Sequence, residues 1–181
     1  ALKVFQSVDR QKIANYVHSF GIDYGQNLYE SASIGAFDGV TALEMSAAYG
    51  AYARGGYYIE PYSYTQITYR DNGEIYVKTT KKTKVCSKKT AKYINDILVS
   101  AASEYHNLGT LEIGSTQAAA KTGTTTIDSK IIKALDLNES AIMDSWACIY
   151  TREYSIGLWY GQGRHVWPHD HRVRLGRRDA W

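Results

Sequence analysis

A lysine, two threonines and a glycine stand together at Lys121-Thr122-Gly123-Thr124, inside the run Ala119 to Thr125. Small residues precede this tetrapeptide and a further threonine follows it. In an extended strand side chains alternate, so Lys121 and Gly123 point to one face and Thr122 and Thr124 to the other. At the margin of a cleft, Gly123 would let a ligand come close to the backbone. Lys121 and the threonine hydroxyls would then bind a carboxylate. Alone, the tetrapeptide describes a solvated turn more readily than a site. Its meaning depends on the elements that hold it.

Before it, Leu2, Phe5, Ile13, Tyr16, Val17 and Phe20 recur at helical intervals, which predicts a helix over 2 to about 20 stopped by Gly21. Gly21 to Gly39 reads as a turn-rich connector. Thr41 and Glu44 make a capping box for a helix ended by Gly55-Gly56. Its Leu43, Ala47, Ala48, Ala51 and Tyr52 are expected to pack one side, and its alanines with Gly50 imply close packing. Tyr62 to Arg70 and Glu74 to Lys78 flank the turn Asp71-Asn72-Gly73 and predict an exposed β-hairpin. Ser87 caps a further helix whose stripe is Ala91, Ile94, Ile97, Leu98 and Ala101 and which ends near Tyr105, with Asn107 to Thr110 as its exit loop.

After the Lys-Thr-Gly strand, a long connection from Thr126 to Asp144 holds a short helix around Ile131, Ile132 and Leu135. Ser145 to Thr151 and Ser155 to Gly161 read as two strands about an Arg152-Glu153 turn. Helices followed by three strands that can pair antiparallel make an α+β pattern. Residues 162–181 follow neither period and are expected to be a disordered or non-native tail. The alternative there is a metal site from His165, His169, His171 and Asp170.

The bulk numbers agree with one domain of 181 residues, 44% of them hydrophobic. The 16 tyrosines against three phenylalanines suit amphipathic sheet faces and grooves. A net charge of +3 is too small to argue for nucleic acid. Lys81-Lys82-Thr83-Lys84 and Lys88-Lys89 read as a solvated loop and helix start, with an anionic partner as the second reading. Cys86 and Cys148 have no metal spacing, and their pairing is open. No apolar run approaches 18 residues, and no membrane span is expected. The helical pattern already running at Ala1 to Phe5 suggests a piece of something longer.

Taken in this order, the blocks resemble the C-terminal part of the transpeptidase domain of class A (bifunctional) penicillin-binding proteins. Ser33-Ile34-Gly35 through Tyr49, Ala53 through Pro61, Lys121 through Thr125, Asp144-Ser145-Trp146 and Gly157 through Gly161 are similar to successive segments of that family. The resemblance covers residues 1–161 and implies a penicillin-binding/serine β-lactamase-like fold, an antiparallel sheet flanked by helices. It also implies peptidoglycan D,D-transpeptidase chemistry without a cofactor. In that chemistry a Ser-x-x-Lys serine forms an acyl-enzyme that is passed to an amine of a neighbouring strand. By the same resemblance Lys121 is the electrostatic anchor, Thr122 and Thr124 bind the substrate carboxylate at Gly123, and the Thr124 N–H completes an oxyanion hole.

Neither Ser-x-x-Lys nor Ser-x-Asn occurs in these 181 residues. Tyr93-Ile94-Asn95 and Tyr105-His106-Asn107 only approximate the second motif and read as chance. The expected partners are peptidoglycan stem peptides, β-lactam antibiotics and an N-terminal part of the same domain that carries the nucleophile. The expected place is the extracytoplasmic face of a bacterial cell membrane, with the anchor outside this chain. The rival readings are a serine β-lactamase relative, a substrate-binding fragment and an inactive structural fragment.

Overall fold

The structure is a computed structural model that describes residues 1–23, 28–36, 39–104, 112–113 and 116–161. In chain order its elements are α1 (Leu2–Gln6), α2 (Arg10–Ser19), a 3₁₀ turn (Glu30–Ile34), α3 (Ala42–Ala53), β1 (Tyr57–Ile59), β2 (Gln66–Thr68), β3 (Ile75–Val77), β4 (Lys82–Lys84), α4 (Lys88–Glu104), β5 (Glu112–Ile113), β6 (Thr116–Gln117), β7 (Ala119–Thr126), α5 (Ser129–Ala134), β8 (Ile142–Tyr150) and β9 (Ser155–Gly161). This is the expected α+β arrangement.

The strands β7, β8 and β9 form one antiparallel sheet in that order. α3 packs on β8 and β9, and α4 packs on β7. The approach of α3 is set by a missing side chain. A Cβ at Gly157 would lie 2.4 Å from the Ala42 carbonyl oxygen and 3.2 Å from the Ser46 nitrogen. The helix therefore rests directly on the backbone of β9. Two reciprocal bonds fasten it there: the Ser46 hydroxyl donates to the Ser155 carbonyl at 2.8 Å, and the Ser155 hydroxyl donates to the Ser46 carbonyl at 2.6 Å. Leu98, Ala119 and Tyr150 are the buried centre between helices and sheet, with Tyr49, Tyr52 and Ile94 against them. A second cluster, Phe20, Ala48, Ala51 and Val85, joins the end of α2 to α3 and to the segment after β4.

Asn95 spans these layers. Its amide donates to the Tyr52 carbonyl at 3.1 Å and its oxygen accepts from the Tyr150 hydroxyl at 2.7 Å. Asn95, in the Tyr93-Ile94-Asn95 stretch, thus has a structural use.

The capping box on α3 forms as expected: the Thr41 hydroxyl accepts from the Glu44 N–H, and the Glu44 carboxylate accepts from the Thr41 N–H. Gly55 and Gly56 end this helix with φ of 66° and 93°. Ser87 accepts from the Thr90 N–H at 3.0 Å at the start of α4. The hairpin is present as β2 paired to β3, shorter than its alternation suggested and exposed throughout.

Four expectations are corrected. The single helix over 2 to 20 is two helices, because the Asp9 carboxylate accepts from the Lys12 N–H and starts a new one. The turn-rich connector contains the 3₁₀ turn Glu30–Ile34. Lys82–Lys84 is not loop but strand β4, solvated yet paired antiparallel with β1. Leu43 and Ile97 face outward, 64% and 62% exposed, where the helical stripes placed them inside. The expected exit loop at 107–110 and the tail at 162–181, with its histidines, lie outside the described residues. Cys86 and Cys148 are both free thiols.

Candidate functional site

β7 is an edge strand among the described residues, paired with β8 on one side only. An edge strand is the kind of element that accepts an added strand or peptide along its open side. Its register with β8 places Lys121 opposite Cys148, Thr122 opposite Ala147, Gly123 opposite Trp146 and Thr124 opposite Ser145. A register shift between Thr125 and Thr126 ends the regular pairing.

Burial divides this strand. Ala118, Ala119 and Ala120 are each at most 4% exposed, with Ala119 against Leu98 and Tyr150. From Lys121 onward the side chains are exposed, with Gly123 intermediate. The four sequence-predicted residues are therefore brought together on the open half of one edge strand.

Their faces follow from the pairing. Lys121, Cys148 and Gly157 share one row, and Gly157 abuts α3, so Lys121 and Gly123 belong to the helix-covered face. Thr122 and Thr124 belong to the opposite face. The Lys121 ammonium donates to the Thr122 carbonyl and has no carboxylate partner among the described residues. It lies close enough to Cys148 to oppose the effect of burial there. Burial still dominates and pushes that thiol up to about 11.

Gly123 needs no glycine on local grounds. Its φ is not positive, and an added Cβ would meet only the Trp146 Cβ, at 3.6 Å. Trp146 and Trp159 stand beside it on the same face, with ring centroids 6.5 Å apart, and the Trp159 indole donates to the Asp144 carboxylate at 2.9 Å. Sequence reading placed Asp144, Trp146 and Trp159 in the paired strands without giving them a role at the site. The available signal was the strand period, which sets them on the face of Lys121 once the register is known.

Chemically, the open half of β7 offers a cation on one face, the Thr122 and Thr124 hydroxyls on the other, and an open edge between them. That set can hold an anionic peptide end. No group of three or more His, Cys, Asp or Glu among the described residues is arranged to hold a metal ion.

Comparison with known proteins gives the family and the fold. The family described as penicillin binding protein transpeptidase domain matches residues 1–147. Penicillin-binding protein 1A/1B of Bacillus subtilis is 32% identical over 170 residues, covering 91% of this chain; the chain spans 18% of that relative's length. The solved penicillin-binding protein PonA1 of Mycobacterium tuberculosis shares the fold, with a TM-score of 0.66 at 22% identity, over 81% of this chain and 40% of that one. Penicillin-binding protein A of the same organism, solved as an imipenem acyl-enzyme complex, gives a TM-score of 0.62 at 18% identity, over 81% of this chain and 36% of that one. The chain belongs to the penicillin-binding protein transpeptidase domain family.

Proposed function

We propose that the protein carrying this chain is a peptidoglycan D,D-transpeptidase and that this chain supplies the anion-binding edge of its active site. One observation carries the reading: Lys121, Thr122, Gly123 and Thr124 occupy the exposed, unpaired edge of a strand in a transpeptidase-family fold. In this reading a stem peptide lies along β7 as an added strand. Lys121 attracts the terminal carboxylate from one face of the strand, and the Thr122 and Thr124 hydroxyls reach it across the open edge from the other. The Thr124 N–H stabilises the oxyanion as the carbonyl becomes tetrahedral. Gly123 keeps the edge free of a side chain so that the peptide can approach.

The nucleophile is not in this chain, since it has no Ser-x-x-Lys. Acylation belongs to a serine elsewhere in the protein, and β-lactams would bind at the same edge through their own carboxylate. The chain alone acts at most as a binding or structural fragment. The protein's place is the outer face of a bacterial membrane, where its substrate is. Among the described residues no helix is long and apolar enough to cross a membrane.

The test is the second-order rate of acylation by a fluorescent penicillin in the protein that carries both this chain and the serine motif. Lys121→Ala is expected to lower that rate on the order of 10²-fold, the scale for loss of one preorganised donor. Equal rates in two folded proteins would refute the assignment. These 181 residues alone are expected to form no covalent adduct; a stoichiometric one would mean a nucleophile exists here.

A further inference from the structure

Three further cationic residues, unrelated to Lys121, stand around one cleft at the C-terminal end of α3. Arg54, just past the C-terminus of α3, Lys84 of β4 and Lys88 of α4 line one cleft of about 410 Å³ together with Ala53, Gly55 and Tyr57. No carboxylate lines this cleft, and none of the three cations is ion-paired among the described residues.

Arg54 is held in place. Its Nε donates to the Tyr57 carbonyl at 3.1 Å and a terminal nitrogen donates to the Ala47 carbonyl at 3.3 Å. The other terminal nitrogen lies where a Cβ on Gly50 would stand 2.9 Å away, so glycine at that position makes room for the guanidinium. That close packing of Gly50 was anticipated, but its neighbour is Arg54 rather than another element.

A guanidinium fixed by two carbonyls still has donors to spare and has already lost its rotamer freedom. The Lys88 stem lies beside Gly55, 3.9 Å from where its Cβ would be. Partial burial pulls the Arg54 guanidinium below its ordinary value, with Tyr58 acting against this. Three like charges around one cleft repel each other, and that cost is offset when a multiply charged anion sits between them.

From three cationic residues lining one cleft without a carboxylate, we infer that the Arg54–Lys84–Lys88 cleft is a binding site for a diphosphate group. A planar fork and two compact ammonium groups suit a compact oxyanion of two or more negative charges. Spread carboxylates would meet only part of the set. Through α3, of 12 residues and about 18 Å in length, this cleft is separated from the Gly157 row that lies beside Lys121. The inference therefore does not depend on the role of Lys121.

The experiment is calorimetric titration of the purified protein with inorganic pyrophosphate, at an ionic strength held constant with KCl. Saturable one-to-one binding is expected, and its absence in the folded protein overturns the site. The double variant Lys84→Gln, Lys88→Gln touches no structural hydrogen bond and should weaken binding roughly tenfold or more. Unchanged affinity in that variant overturns the site equally. Arg54→Lys keeps the charge and loses the fork, and should also weaken binding. Citrate at the same ionic strength should bind at least tenfold more weakly; equal affinity overturns the diphosphate assignment. A monoalkyl diphosphate distinguishes the source. Tighter binding than pyrophosphate upholds the site with an esterified ligand, and weaker binding upholds it with the free ion.

Discussion

The two halves of β7 share one strand and one neighbour, yet they are built for opposite purposes. Ala118 to Ala120 are buried, and Ala119 packs against Leu98 of α4. Lys121 to Thr126 continue the same pairing with β8 but stand open. Small side chains in the first half let a helix come close, which is a packing requirement. The second half has a cation bonded only to the next residue's carbonyl among the described residues, and threonine hydroxyls that nothing described in the fold uses. The glycines make the same contrast. Gly157 is indispensable to the contact with α3, whereas Gly123 could carry a Cβ without a clash. A residue the fold does not need is the better candidate for work outside it.

The sharpest way to break this comparison is to place a charge on each half. Ala119→Asp puts an unpaired carboxylate against Leu98 and Tyr150 and should cost on the order of 4 kcal/mol, read as a large drop in thermal midpoint. Lys121→Ala should change stability by about 0.5 kcal/mol or less while slowing acylation on the order of 10²-fold. If both variants melt alike, the division of β7 is wrong.

The glycines sharpen it further. Gly157→Ala should lose about 1–3 kcal/mol by forcing α3 off the sheet. Gly123→Ala should keep its midpoint within about 0.5 kcal/mol and slow acylation instead. A stable Gly157→Ala would show that the helix gives way easily.

Alkaline pH should act through the buried thiol and phenol groups. Burial raises the Cys148 thiol from its ordinary 9 to about 11, and burial with the nearby Cys148 charge raises Tyr49 from 10 to about 12. Above pH 9 the unfolded chain releases these protons while the folded chain keeps them. Stability is therefore complete below about pH 9 and falls as pH climbs towards 12. Denaturant midpoints measured across that window should show this slope, and Cys148→Ala should flatten its lower part. A slope unaltered by that substitution would remove Cys148 from the account. The smallest effect is expected from Thr68→Ala on the exposed β2–β3 ribbon, which should leave both midpoint and acylation nearly unchanged.

What could be read in the sequence was what short-range chemistry decides. The Thr41–Glu44 box, the Ser87 cap and the turn at Gly73 each act within three or four residues, and each is where it was expected. The antiparallel sheet was legible because its strands alternate and follow one another closely. The β1–β4 pair was hidden, since Tyr57 meets Lys84 across an intervening hairpin and lysine runs look solvated whether paired or not. Asp9 was overlooked as a new helix start because apolar spacing continues past it. The site motif itself was plain. Its position on an unpaired edge, its aromatic flank at Trp146 and Trp159, and the Arg54 cleft all depend on which strands and helices meet, a matter no single segment encodes.

The bridge at Asn95 has a consequence for how the molecule breathes. One amide holds a carbonyl of α3 and a hydroxyl of β8 at the same time, so neither helix nor sheet can swing away alone. Amide protons of α3, α4 and the inner strand should then exchange with solvent together, through one common opening. Those of β2 and β3, paired with each other and exposed, should exchange early and independently. Asn95→Ala would uncouple the opening of α4 from that of β8, and the single slow exchange class would split in two.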